Sequence, residues 1–192
     1  MNTPTHVLIA EAVFKRTDVA YSGWAAAVGA ILPDAFLGVF VGWALTQRLP
    51  QQQIWDVEYF KQPWQTIGAI SNSFVLWGLA LGIGIAGGRA VSEKVATFGR
   101  LLTIAAFSGL SHLVSDFLTH ADDAHMHFWP LSETRFISPV SYWDNNHHAR
   151  WIMPIEALLI FGSVFILWRQ ASSTKLKALL GVMVVLGCLL IG

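Results

Sequence analysis

Long apolar runs alternate with short polar breaks along this chain, and the run lengths predict its elements. Residues 3–14, TPTHVLIAEAVF, are too short to cross a hydrocarbon core of about 30 Å and too apolar for water, which predicts a buried half-helix. Residues 22–47 predict a first full span, with Leu32-Pro33-Asp34 at its centre combining a helix kink with an expensive carboxylate. A polar connection, 48–65, carries Gln51, Gln52, Gln53, Asp56, Glu58 and Lys61. Residues 67–88 predict a second span in which Gly78 and Gly82 make a GxxxG spacing suited to close helix packing. After a charged loop at 89–99 comes a third span, 100–119. The longest polar stretch, 120–150, contains Pro130 and Pro139. It also holds Phe128, Trp129, Phe136, Tyr142 and Trp143, which have enough surface to bury to make an ordered lid rather than a disordered linker. A fourth span is predicted at 151–168, with Pro154 tolerated in its first turn, and a fifth at 176–191. The expected fold is all-α: a polytopic transmembrane bundle of about five spans, with an N-terminal half-helix and a polar lid, in a single domain 1–192.

Composition strengthens the membrane reading. The 192 residues are 54% hydrophobic and 12% charged, against roughly a quarter charged in ordinary soluble domains. Lys plus Arg and Asp plus Glu both number 12, so no bulk charge draws the chain to nucleic acid, and none is expected as a partner. The single cysteine, Cys188, offers no internal disulfide. Trp24, Trp43, Trp64, Trp151 and Trp168 fall near the edges of apolar runs, as an interfacial belt requires. The N-terminus lacks the basic region of a signal peptide. Lys15, Arg16, Arg89, Lys94, Arg100, Arg169, Lys175 and Lys177 fall on one side of the expected topology, and Arg48, Lys61, Arg135 and Arg150 on the other. This bias predicts a bacterial inner membrane protein with the N-terminal side cytoplasmic and the lid outward.

Against this apolar background one stretch stands out, SGLSHLVSDFLTHADDAHMHFW at 108–129. His112, Asp116 and His120 recur every four residues, one stripe of one helix face, and Asp122, Asp123, His125 and His127 follow. Other ionisable groups lie at compatible depth. His6 is nine residues inward from Lys15, roughly 13 Å along a helix, and Asp34 sits in the middle of the first span. Imidazole and carboxylate ligands with almost no cysteine favour zinc, with manganese or iron as alternatives, over thiolate sites. The candidate ligands of a divalent metal are His6, Asp34, His112, Asp116, His120, His125, His127 and His148, with His147 beside them. Asp123 or Glu156 could accept a proton from an activated water. Hydrolysis is the chemistry such a site serves best.

Each residue also has a plainer role. His112 and Asp116 could form a hydrogen-bonded pair locking two helices, and His120 could cap its helix. His6 could be a satisfied interfacial histidine and Asp34 a cap on a broken helix. Glu156 could pair with Arg150, and Glu11 with Lys15 at i+4.

The order of His6, an LPD motif ending in Asp34, and SHLVSDFLT carrying His112 and Asp116 resembles the YdjM-like family of membrane-bound, metal-dependent hydrolases. That family is distantly similar to zinc-dependent phospholipase C and the zinc nucleases. The resemblance implies an α-helical fold, divalent metal, and hydrolysis of a phosphoester that could be a lipid. Relatives carry an HRGxTHS segment before the second span, where this chain has Gln62-Pro63-Trp64-Gln65-Thr66 and then Ser71-Asn72-Ser73. They also carry a second acidic residue after LPD, where this chain continues Ala35-Phe36-Leu37. The rival functions are an ion- or proton-coupled membrane carrier, and a non-catalytic membrane protein whose polar cluster serves helix assembly.

Overall fold

The computed structural model describes all residues except 17, 172, 191 and 192, and the side chains of 175, 176 and 186–190 lie outside the description. The described residues form helices joined by turns and loops, with no strand among them. In chain order the helices are α1 (Thr3–Phe14), α2 (Ser22–Ile31), α3 (Ala35–Thr46), α4 (Gln51–Gln53), α5 (Trp64–Ser71), α6 (Phe74–Gly87), α7 (Glu93–Thr119), α8 (Ala149–Gln170) and α9 (Thr174–Leu190). A π turn, Ile54–Glu58, extends α4. Among the described residues, three stretches are long and apolar enough to cross a membrane: Trp64–Gly87, Glu93–Thr119 and Ala149–Gln170. The pair α2 and α3, bent by 54° at the Pro33 break, makes a fourth if it crosses as one. The expectation of about five spans is thus met only for three or four. The last expected span corresponds to α9, 17 residues long, and part of it, with Cys188 and Lys175, falls on side chains outside the description.

The longest helix, α7, is the axis of the bundle, with α6 and α2 packed along it and α1 wedged among α2, α7 and α8. Close backbone approach explains these pairings. A Cβ on Gly29 of α2 would stand 2.1 Å from the Ala105 carbonyl, and one on Gly99 of α7 would stand 2.2 Å from the Gly88 nitrogen. A Cβ on Gly84 would meet the Thr103 nitrogen at 2.7 Å. Gly78 and Gly82 face open space, with nothing within 4 Å of an added Cβ, so the expected GxxxG contact is not the packing seam. The seam lies one to two turns further on, through Gly84, Gly88 and Gly99. Outside the bundle, Trp24 and Trp151 are exposed, whereas Trp43 and Trp64 join Phe40, Trp55 and Tyr59 in an aromatic cluster around the α3–α5 contact.

Two helix breaks face each other inside the molecule. Pro33 has no N–H, and Asp34 N turns back to Ile31 O at 3.0 Å, so the carbonyls of Gly29 and Ala30 lose their helical partners. The second break, Ser71-Asn72-Ser73 between α5 and α6, supplies donors to the carbonyl of Pro33 itself. Ser71 Oγ and the fully buried Asn72 Nδ2 donate to the Pro33 carbonyl at 3.0 and 3.1 Å. Ser73 caps α6 by accepting from Leu76 N at 3.1 Å. Non-helical backbone is tolerated at such depth when its polar groups find protein partners.

The lid is held at both faces. Phe74 N donates to His127 O at 2.8 Å, Ser138 N to His120 O at 3.0 Å, and Tyr142 N to Thr119 O at 3.1 Å. Arg135 Nη2 donates to Gln65 Oε1 at 2.6 Å, and the rings of Phe136 and Phe117 stack at 4.5 Å. Of the aromatics expected to order residues 120–150 by burying surface, Phe128, Phe136 and Trp143 remain 43%, 42% and 53% exposed, so the hydrogen bonds above carry much of the attachment.

Candidate metal centre

Helical periodicity places His112 and Asp116 one turn apart on the buried face of α7, both 1% exposed. The wedge position of α1 delivers His6, 4% exposed, onto the same carboxylate. His112 Nε2 lies 2.8 Å from Asp116 Oδ2, and His6 Nε2 lies 3.2 Å from Asp116 Oδ1. The two imidazoles stack with centroids 3.7 Å apart and planes inclined by 18°. Nitrogen and oxygen atoms of His6, His112 and Asp116 all lie within 4.8 Å of one another, close enough to hold one metal ion. Asp34, at the N-terminus of α3, makes no helix cap with its side chain. Its Oδ1 instead lies 3.4 Å from His112 Nε2, and its Oδ2 accepts from Thr3 Oγ1. The α-ammonium of Met1 reaches Asp116 Oδ1 at 3.1 Å, and His6 Nε2 lies 3.2 Å from the Met1 carbonyl.

The orientation of His112 follows from the Pro33 break. Its Nδ1 lies 2.7 Å from the carbonyl of Ala30, which an unbroken helix would have paired with the N–H of residue 34. A carbonyl can only accept, so Nδ1 carries the ring proton there and Nε2 of the neutral ring is left with a lone pair. That buried Nε2 has no hydrogen-bond partner, although two carboxylates face it. A lone pair set against two buried carboxylates needs a cation between them, either a proton or a metal. Holding the far ring nitrogen on a backbone carbonyl is also how metal-binding histidines are commonly oriented.

Toward the lid, two further imidazoles also hold Nδ1 against a backbone carbonyl. His120, at the C-terminus of α7, has Nδ1 3.0 Å from Asp116 O, and its Nε2 lies 3.7 Å from Asp123 Oδ2. His127 has Nδ1 3.0 Å from Asn72 O. His125 is 6% exposed, with its ring against those of Phe36, His120 and His127. Burial pushes the His125 imidazole down to about 3 and the His127 imidazole down to about 4, so both rings are neutral at ordinary pH. Asp123 accepts from Trp143 Nε1 on Oδ2 at 3.1 Å and keeps a buried, unpartnered Oδ1.

Other expected site residues lie elsewhere. His148 is exposed, adopts φ 64° at the start of α8, and joins neither of the two metal-competent groups found among the described residues. Those groups are His6, His112 and Asp116 in the interior, and Asp122, Asp144 and His147 on the lid surface. In the surface group His147 Nδ1 lies 2.7 Å from Asp144 Oδ2; this contact raises the imidazole pKa and lowers the carboxyl pKa. Glu156 is 1% exposed and turns to α1 rather than to Arg150, accepting from Asn2 N at 2.8 Å and Thr5 Oγ1 at 2.7 Å. Glu11 pairs with Lys15 at 3.7 Å as expected. Sequence reasoning missed Asn72 and the Ala30 carbonyl. The clue to both was the pairing of a proline break with a Ser-Asn-Ser break, since each must find partners for freed backbone groups.

Comparison with protein-family models, curated proteins and solved structures finds no match for this chain.

Proposed function

We propose that this protein is a membrane-embedded, metal-dependent hydrolase of phosphoesters, with a divalent cation held by His6, His112 and Asp116. The observation that carries the reading is the geometry of His112, whose Nδ1 is held on the Ala30 carbonyl while its buried Nε2, without a hydrogen-bond partner, faces two carboxylates. Asp34, beside the same nitrogen, adds an oxygen ligand, and the mixed nitrogen and oxygen donor set suits zinc, with manganese or iron next. A cation bound there supplies Lewis acidity, lowering the pKa of water toward neutrality and offsetting charge on a phosphoryl oxygen. The protein's own contribution is to orient the ligands and to accept a proton. An uncommitted carboxylate oxygen supports Asp123 as the proton acceptor over Glu156, whose carboxylate is engaged by α1. The order of His6, LPD and HLVSD motifs supports the same reading by its similarity to YdjM-like hydrolases. The Lys and Arg distribution supports a cytoplasmic N-terminal side and an outward lid in an inner membrane.

Elemental analysis of the purified full-length protein tests the first half of this proposal. About one or more zinc, manganese or iron per chain, lost in His112→Ala, is the expected result. Hydrolysis of generic phosphodiesters and phospholipids by the wild type but not by His112→Ala tests the second half. A metal-free yet folded and functional protein overturns the proposal. Ion flux into proteoliposomes that depends on Asp34 and His112, without ester cleavage, replaces it with a carrier.

A further inference from the structure

A helix that begins inside a protein needs partners for its first N–H groups, and α1 has an unusual one. Its N-cap, Asn2, makes no side-chain cap of its own, and Pro4 in the first turn offers no N–H. The carboxylate that fills this role comes from another helix. Glu156 of α8 accepts from the Asn2 backbone N–H at 2.8 Å, from Asn2 Nδ2 at 3.3 Å and from Thr5 Oγ1 at 2.7 Å, all on Oε1. The Thr5 side of this contact is buried, with Thr5 fully covered and Glu156 1% exposed. Thr3, between the two residues that Glu156 holds, donates to Asp34. The first turn of α1 is therefore fixed between two carboxylates, and the next residue after Thr5 is His6, which meets Asp116 at 3.2 Å.

We propose that Glu156 is a positioning residue, which docks the first turn of α1 against α8 and thereby sets His6 at ligand distance from Asp116 and His112. This rests on the metal reading of that group. It assigns Glu156 neither to coordination nor to proton transfer. The part of Glu156 that acts is then an acceptor oxygen. Glutamine keeps such an oxygen and alanine does not.

Cobalt(II) titration of the full-length protein in detergent, followed by its visible ligand-field spectrum, separates the possibilities. Wild type is expected to bind cobalt with a spectrum that His6→Ala alters. E156A is expected to weaken cobalt binding about tenfold or more, as loss of a group supporting a ligand does, and to shift the spectrum toward that of His6→Ala. E156Q is expected to restore most of the affinity and the wild-type spectrum. Thr5→Val, which removes only the hydroxyl, should weaken binding in the same sense, and Thr5→Ser should not; this pair serves if E156A does not fold. Wild-type affinity and spectrum in both E156A and Thr5→Val overturn the proposal and leave the metal reading intact. E156Q as defective as E156A also overturns it, because the carboxylate charge is then the active element. A wild-type protein that binds no cobalt overturns the metal reading, and this inference with it.

Discussion

The Nδ1 of His112 lies 2.7 Å from the carbonyl oxygen of Ala30, a group left free because Pro33 interrupts α2. A kink in one helix thus fixes the tautomer of a histidine in another. Pro33→Ala gives residue 33 an N–H, relieves the ring clash and allows α2 to continue, so that the Ala30 carbonyl returns to helical pairing. The expected outcome is a folded protein whose metal affinity falls by about 10- to 100-fold, the usual effect of removing a group that orients a ligand. Metal titration checks this. Unchanged affinity would show that the break does not set the ligand.

Asp116 is the acceptor shared by His6, His112 and the Met1 ammonium. Asp116→Ala removes their common partner inside the bundle. Bound metal should drop to background, and stability should fall by about 3–5 kcal/mol, the range for a buried ion pair that loses one member. Thermal unfolding in detergent together with metal analysis reads both effects. Retention of full metal content would remove Asp116 from the site.

The stripe of His112 and Asp116 was legible because helical spacing in an apolar run leaves few other readings, and α1 and Asp34 were legible because depth can be counted from charged ends. The structure brings all four residues together. What the sequence did not reveal depends on backbone. Nothing in Ser71-Asn72-Ser73 says that it donates to the Pro33 break, because that pairing spans 39 residues and its acceptor is a carbonyl. Gly78 and Gly82 misled for a related reason: a glycine spacing shows that close packing is possible, not which helix face receives a neighbour. The partner of Glu156 was hidden because it is an N–H and a hydroxyl of α1 rather than a charge.

His125 and His127 make the lid sensitive to acid. Burial lowers their imidazoles from 6.5 to about 3 and about 4, so in this range the unfolded chain binds more protons than the folded one. Stability therefore rises with pH between about 4 and 6.5 and levels off above it. The melting temperature should fall steadily as pH drops from 6.5 toward 4. His127→Gln, which keeps a polar side chain but does not titrate, should flatten that slope. An equal slope in wild type and variant would place the acid sensitivity elsewhere.

The glycines of α6 and α7 offer a packing test independent of any chemistry. A Cβ on Gly99 would stand 2.2 Å from the Gly88 nitrogen and 2.4 Å from the Gly87 carbonyl carbon, and both obstacles are backbone, so the helices must separate. Gly99→Ala should therefore cost about 1–3 kcal/mol, the range for overpacking, despite the better helix propensity of alanine. Gly78 and Gly82 have nothing within 4 Å of an added Cβ, so only propensity acts there. Gly78→Ala and Gly82→Ala should be neutral or stabilising by up to about 1 kcal/mol. Thermal unfolding of the three variants in one detergent decides the matter. Greater damage from Gly78→Ala or Gly82→Ala than from Gly99→Ala would move the α6 seam back to the GxxxG face, and with it the register that carries His112.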